Sequence, residues 1–162
     1  MPNDLFDNSL VRFTSIELDD ANVALSKWGH KMGPLHRGNQ GAVCFGLFYR
    51  DDLVAVATTS YLISAVVGGG LKHLTRENCC ELSRLCASRA GLCRVALRLW
   101  REFVLPSLGF RFAISYQDAD LHNGNTYRFD GWKRVGRSKS GPDTRSGRAG
   151  RDKWIWMWEA NQ

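Results

Sequence analysis

The segment from Glu81 to Tyr116 constrains the fold more than any other part of the chain. It opens with the strand-like run ELSRLCA at 81–87, continues as the helical pattern GLCRVALRLWREFVL at 91–105, and returns to a strand at 111–116. A strand, a crossover helix and a second strand make a βαβ unit, whose strands run parallel where they are neighbours. Leu92, Val95, Ala96, Leu99 and Phe103 recur at helical spacing and are the expected core face. Pro106 and Gly109 are expected to stop the helix.

The rest of the chain alternates in the same way. LVRFTSI at 10–16 reads as a strand, and Asp19 or Asp20 is placed to cap a helix running through Val23, Leu25 and Trp28 to Lys31. AVCFGLFY at 42–49 and LVAVATT at 53–59 flank Arg50-Asp51-Asp52, which predicts an antiparallel hairpin. Trp154 to Trp158 alternates strictly and is expected to pair with 132–136 in a last hairpin, closed by a loop at about 136–152. With 162 residues and no repeat, the expectation is a single α/β (α+β) domain over 1–162, a mixed six- or seven-stranded sheet flanked by helices.

Several classes are excluded on the same grounds. The N-terminal MPNDLFDNSL is acidic and has no apolar h-region, so no secretory leader is expected. The uncharged run from Leu53 to Leu71 reaches spanning length but holds Thr58, Thr59, Ser60, Tyr61 and Ser64 and ends in glycines, which reads as a core strand and loop rather than a membrane span. Five cysteines without CxxC pairs read as reduced thiols in a cytosol, and no metal site is expected.

The net charge of +6 is gathered in one place. Between 133 and 153, Lys133, Arg134, Arg137, Lys139, Arg145, Arg148, Arg151 and Lys153 face only Asp143 and Asp152, and the rest of the chain is balanced. Such a segment suits a polyanion first, and a solvated loop rich in Gly and Ser is the alternative. Trp154, Trp156 and Trp158 share a strand face, for which core packing is the first expectation and stacking on bases the second.

Two stretches carry chemistry. Residues 110–132 read as a strand ending in Ser115-Tyr116-Gln117-Asp118, then a short helix carrying His122 and Tyr127, then Gly131-Trp132. An Asp and a Tyr at a sheet's carboxyl edge form a candidate acid/base pair, while a helix cap explains Asp118 and a satisfied core hydroxyl explains Tyr127 equally well. His30 reads first as a partner of a helix C-terminus. In the other stretch, Ser88 to Arg94 joins strand to helix, where free amides with Arg89 and Arg94 can hold a pyrophosphate, or form an ordinary turn.

The element order and the run Tyr127-Arg128-Phe129-Asp130-Gly131-Trp132 resemble the GNAT acyltransferases. More closely, the chain resembles the Mom family of bacteriophage DNA-modification proteins, a divergent GNAT branch. The matching residues are His30, Phe45-Gly46, Leu53-Val54, Leu82-Ser83-Arg84-Leu85, Ser115-Tyr116-Gln117-Asp118, His122, Gly124 and Tyr127. The usual GNAT pyrophosphate signature is absent between Arg89 and Val95, where Ala90 and Cys93 replace an Asn/Ser pair.

The resemblance implies an enzyme of the host cytoplasm that modifies adenine N6 in double-stranded DNA to a carbamoylmethyl group, shielding phage DNA from restriction. It implies Asp118, Tyr127, Arg84, Ser115, His30 and His122 as catalytic residues, with Arg84 and Ser115 positioning donor or base. Leu85, Cys86, Ala87, Arg89, Gly91, Leu92, Cys93 and Arg94 would hold an acyl donor, either acetyl-CoA or a glycyl-type donor, and the eight basic residues would hold DNA. Carbamoylmethyl contains a nitrogen that acetyl lacks, so acetyl-CoA alone does not supply it. A homodimer is compatible with this fold. Two further readings stand beside it: an acetyl-CoA-dependent N-acetyltransferase acting on a small amine or an already hypermodified base, and a non-enzymatic nucleic-acid-binding protein.

Overall fold

The computed structural model describes residues 10–36, 41–120, 122–138 and 152–161. Seven strands form one mixed sheet in the order β1-β2-β3-β4-β5-β7-β6. They are β1 (Val11–Ile16), β2 (Val43–Tyr49), β3 (Asp52–Tyr61), β4 (Cys79–Ala87), β5 (Phe112–Asp118), β6 (Lys133–Ser138) and β7 (Lys153–Glu159). The helices are α1 (Leu18–Lys27), α2 (Leu92–Leu99), a π-helical turn (Trp100–Val104), α3 (Leu105–Leu108) and α4 (Asn125–Asp130). Both expected hairpins are antiparallel, and β4 and β5 are parallel, as a βαβ crossover requires. Among the described residues no helix is long and apolar enough to cross a membrane.

The feature that positions the site is a gap inside the sheet. β4 pairs with β5 only from Cys79–Phe112 to Glu81–Ile114, although both strands continue. β5 stays paired with β7 along its whole length, and β4 with β3 up to Ala87. Opposite Thr58 and Thr59 the β4 register skips Ser83, a bulge. A bulge bends and twists its strand, and here that accounts for β4 leaving β5.

The crossover helix buries a face rotated from the one its periodicity suggests, with Leu92, Ala96 and Leu99 still packed on the core. Ala96, Leu97, Trp100, Val104 and Leu105 are buried, whereas Val95 and Phe103, expected in the core, are 44% and 68% exposed. Trp100 decides the orientation, because its indole N–H donates to Thr59 Oγ1 at 2.7 Å under the helix. Pro106 does not stop the helix either. It lies inside α3, directly after the π-helical turn, where widened backbone relieves the clash of its ring with the preceding turn. Gly109, at φ 77°, is the actual terminator.

Two other expectations are corrected. α1 ends at Lys27, so His30 belongs to the turn beyond it, and the cap position is Glu17 rather than Asp19 or Asp20, which lie in the first turn. α4 begins at Asn125, so Tyr127 is helical and His122 is not.

The helical run and α4 cover one face of the sheet, packing Leu97, Trp100 and Trp132 on Ala57, Cys80, Leu82 and Trp156. Trp154 and Trp158 pack against the same cluster, which makes the tryptophan row part of the core. The opposite face is covered by α1 over Val56 and by residues 62–74 over Ile114 and Ile155.

Candidate active site

Where the β4–β5 ladder stops, Ser115 Oγ donates to the Leu82 carbonyl at 3.1 Å. The same oxygen is 2.7 Å from the Tyr127 hydroxyl. A serine has one hydrogen, and here it is held by Leu82, so Tyr127 is the donor to Ser115. Burial pushes the Tyr127 phenol up to about 12, against the Ser115 hydrogen bond, which pulls it down. At neutral pH the group is therefore protonated, an acid rather than a base.

The tyrosine ring is fixed by aromatics. It stacks on Trp156 (centroids 5.8 Å apart, 18° between planes) and meets Trp132 edge-on at 5.4 Å. Asp130, at the end of α4, accepts from Arg101 Nε at 2.7 Å and from Trp132 Nε1 at 2.9 Å, locking α4 to the crossover helix. Gln117 holds the turn after β5. Its Nε2 donates to the carbonyls of Asp118 and His122, and its Oε1 accepts from Trp156 Nε1.

A cleft of about 460 Å³ opens at the gap. Of the expected catalytic residues, Asp118, Tyr127, Ser115, His30 and His122 line it. Asp118 Oδ1 accepts from the Asp120 amide at 2.9 Å, so it closes a turn rather than capping a helix. Arg84 is not in the wall: it is buried and donates to the Gly33 and Ser83 carbonyls, tying the turn after α1 to β4. His30 is lowered to about 4 by burial, then by Arg84 and His122, and is neutral at pH 7. Its Nδ1 accepts from the Met32 amide at 3.2 Å, which leaves the proton on Nε2.

Of the expected donor-binding residues, Leu85, Cys86, Ala87, Arg89 and Cys93 line the cleft, and Gly91, Leu92 and Arg94 do not. Leu92 packs against the core, and the Arg94 guanidinium lies 5.5 Å from the Phe129 ring centroid. Gly91, at φ 89°, starts α2 with no side-chain cap and no acidic residue in its first turn. The first amides of that helix therefore remain donors for an anion. Burial pushes the Cys93 thiol up to about 11 and Cys79 to about 12, so neither is a thiolate near neutrality. Among the described residues no group of three or more His, Cys, Asp and Glu could hold a metal.

A second chamber of about 320 Å³ adjoins the first along Met32, Leu82, Ser83, Tyr116 and Lys153. Its remaining walls include Leu62, Ile63, Val66, Val67 and the buried Glu81. Sequence reasoning missed Glu81, Ser83, Tyr116 and Gln117 as site residues. The signal was a polar or charged residue at inward positions of strands that otherwise read as core.

Of the basic residues, Lys139, Arg145, Arg148 and Arg151 lie outside the described residues. Lys133 and Arg134 are exposed on β6, the edge strand. The guanidinium groups of Arg134 and Arg137 lie 4.2 and 5.1 Å from the Trp154 ring centroid, and Arg137 also pairs with Asp152 at 2.8 Å. Lys153 lines both the cleft and the chamber.

No family model matches the sequence. No curated protein matches it either. Solved structures do match over nearly the whole chain. An acetyltransferase of the GNAT family from Streptococcus pneumoniae superposes with a TM-score of 0.62 at 11% identity, over 93% of this chain and 99% of that one. The fold is that of the GNAT acetyltransferases. The ribosomal-protein-S18-alanine N-acetyltransferase from Escherichia coli shares this GNAT fold with a TM-score of 0.66 at 18% identity, over 94% of this chain and 95% of that one. A Bacillus subtilis acetyltransferase in complex with CoA does so with a TM-score of 0.62 at 13% identity, over 92% and 98%. At these identities the likeness defines the GNAT architecture, and chemistry has to be argued from the site.

Proposed function

We propose that this protein is an acyl-CoA-dependent N-acyltransferase in which Tyr127 is the acid. The observation that carries the reading is the chain Tyr127–Ser115–Leu82 carbonyl at the edge of the strand gap. Three features of the chain fit an acyl-CoA: the edge of β4 left unpaired beyond Glu81, the uncapped start of α2, and Arg89 in the cleft wall. The CoA complex of the Bacillus subtilis structure of the same fold supports the same donor.

A thioester bound there supplies an activated acyl carbon and a sulfur leaving group. The β4 edge presents backbone groups that can bond an extended chain, and the first-turn amides with Arg89 hold the anionic end. As the acceptor nitrogen bonds to the acyl carbon and the carbon–sulfur bond breaks, Tyr127 passes its proton to sulfur. Ser115 then turns its hydrogen from the Leu82 carbonyl to the phenolate oxygen, the stabilisation that this buried tyrosine requires. Asp118 orients the acceptor amine and receives its proton. The chamber lined by Glu81 and Tyr116 holds the acceptor.

For the acceptor we infer adenine N6 in double-stranded phage DNA, with a carbamoylmethyl-type product that protects against restriction in the host cytoplasm. What favours DNA is Arg134 and Arg137 beside the Trp154 ring, next to Lys153 at the cleft. Those cations suit phosphates, and the base has to be flipped for N6 to reach the cleft. A glycyl-type donor supplies the extra nitrogen, and its direct transfer gives N6–CO–CH2–NH2, the isomer of carbamoylmethyl, so a rearrangement of that adduct to N6–CH2–CO–NH2 completes the product. A small amine is the rival acceptor, favoured by the modest volume of the chamber.

The test is thiol release from acetyl-CoA and from glycyl-CoA, each with duplex DNA or a panel of small amines, followed by digestion of the DNA and weighing of its nucleosides. Tyr127→Phe is expected to lower turnover by about 10²–10⁴-fold with the fold retained. Unchanged turnover in that variant removes Tyr127 from the mechanism. Thiol release with amines but unmodified nucleosides replaces DNA by a small amine, and DNA binding with neither leaves a nucleic-acid-binding protein.

A further inference from the structure

We propose, resting on the acyl-transfer reading above, that Glu81 makes the second chamber selective for an acceptor whose amino group sits on a flat ring beside a phosphate, and that a ring with a carbonyl oxygen in place of the amine is refused. Glu81 stands opposite Ile114 on β5 and opposite Ser60 on β3. Directly opposed residues share a sheet face, and on this face Leu62 and Val67 pack with Ile114. The Glu81 carboxylate, in a residue only 7% exposed, is therefore set among apolar walls made by Leu62, Ile63, Val67 and Leu82. Arg76 holds the outer wall in place. It donates through Nε to the Leu62 carbonyl at 2.8 Å and through Nη2 to the Ile63 carbonyl.

A carboxylate only accepts hydrogen bonds. Facing an amino group it gains one, and facing a carbonyl oxygen it is repelled, with the loss magnified where water is excluded. Adenine and cytosine carry that amino group where hypoxanthine and uracil carry a carbonyl oxygen, with little else changed. Tyr116, which lines both compartments, brings a hydroxyl that donates as well as accepts and so suits the ring nitrogen next to the amine. The flat faces of a base suit the aliphatic walls, and a volume of about 320 Å³ is at the small end of ligand pockets, which favours a single ring system. Lys153 decides between a base and an alkyl amine. It stands at the throat shared by cleft and chamber, its Nζ 3.9 Å from Met32 Sδ, while Asp118 opposite it on β5 lines the cleft and not the chamber. A cation there suits a phosphate next to the base and opposes an alkylammonium, which also has to lose a proton before it attacks. The amino group of a base is uncharged at neutral pH.

The experiment is isothermal titration calorimetry of the full chain with deoxynucleoside monophosphates. dAMP and dCMP are expected to bind at least about tenfold more tightly than dIMP and dUMP, in which a carbonyl oxygen replaces the amine. Glu81→Gln, whose amide donates as well as accepts, is expected to bring each pair within about threefold, and Glu81→Asp, which keeps the carboxylate, to retain the preference. Circular dichroism melts check that both variants keep the fold. Lys153→Ala is expected to weaken dAMP by about tenfold and deoxyadenosine hardly at all. Displacement of dAMP by an adenine-containing single strand marks a base taken from DNA as the source, and a single strand that does not displace it marks a free nucleotide. Equal affinity for dAMP and dIMP in wild type overturns the proposal. So does the absence of saturable binding, a preference unchanged in Glu81→Gln, or phenylethylamine binding more tightly than dAMP. Unmodified DNA beside an intact preference for dAMP removes transfer to DNA and leaves the chamber's selectivity, whereas acyl transfer without that preference leaves the transferase and removes the selectivity.

Discussion

Ser115 and Tyr127 share two hydrogens among three oxygens, and the order of donation sets what each residue does. Replacing Ser115 by Ala removes the hydrogen bond to the Leu82 carbonyl and the hydroxyl placed to stabilise a Tyr127 phenolate. The expected outcome is a stability loss of about 1–3 kcal/mol in urea unfolding, with acyl transfer reduced although Tyr127 is intact. Wild-type turnover in Ser115→Ala contradicts the relay.

His30 makes stability depend on pH at the same scale. Its folded value, about 4, lies below its ordinary 6.5, chiefly through burial. As pH falls, the unfolded chain takes up the proton first, so the His30 contribution is whole above 6.5 and is lost by about 4. Urea midpoints of wild type are expected to decline across that window by up to about 3 kcal/mol more than those of His30→Gln. Parallel curves for the two proteins rule out His30 as the cause.

At the scale of elements, α4 depends on Gly124. A Cβ at that position lies 2.6 Å from Gln117 Oε1 and from the Trp156 ring, at φ +74°. Gly124→Ala is expected to cost about 2–4 kcal/mol and to displace the helix that carries Tyr127, lowering turnover as well. Gly29→Ala is the control, because Gly29 has a similar φ of +66° and nothing within 4 Å of an added Cβ. It is expected to cost only the conformational part, about 1–2 kcal/mol. Equal losses in denaturant unfolding mean that packing against Gln117 and Trp156 is not what requires a glycine.

The crossover helix teaches a second lesson at this scale. Its sequence holds two apolar stripes that share Ala96, and periodicity favoured Leu92, Val95, Ala96, Leu99 and Phe103, of which Val95 and Phe103 point outward, over Ala96, Leu97, Trp100 and Val104. A single long-range hydrogen bond, Trp100 to Thr59, together with the π-helical turn before Pro106, turns the other stripe inward. Element type was legible from the helical spacing. Orientation was not, because both stripes have that spacing.

For the whole molecule, the excess charge is the property with the longest reach. If Arg134 and Arg137 hold DNA phosphates, each Ala substitution lowers the slope of log K against log salt by about 1 and weakens binding equally across sequences. Fluorescence anisotropy at several salt concentrations measures this, and slopes that do not change remove these two residues from the interface. Arg137 is the stricter test, since its substitution also releases Asp152.

Element order, the two hairpins, the parallel pair β4 and β5, and the tryptophan row of β7 follow from the sequence, because local side-chain spacing dictates them. Asp118, Ser115 and Tyr127 were legible as candidates for the same reason: they stand at the end of a strand and on the helix after it. Tertiary structure decided the rest. The gap between β4 and β5 depends on a bulge at Ser83, Arg84 is a brace because Gly33 lies 51 residues away, and His30 is neutral because burial and Arg84 make it so. Periodicity records which way a side chain leaves the backbone. It does not record what that side chain meets, and hydrogen bonding, desolvation and charge depend on the meeting.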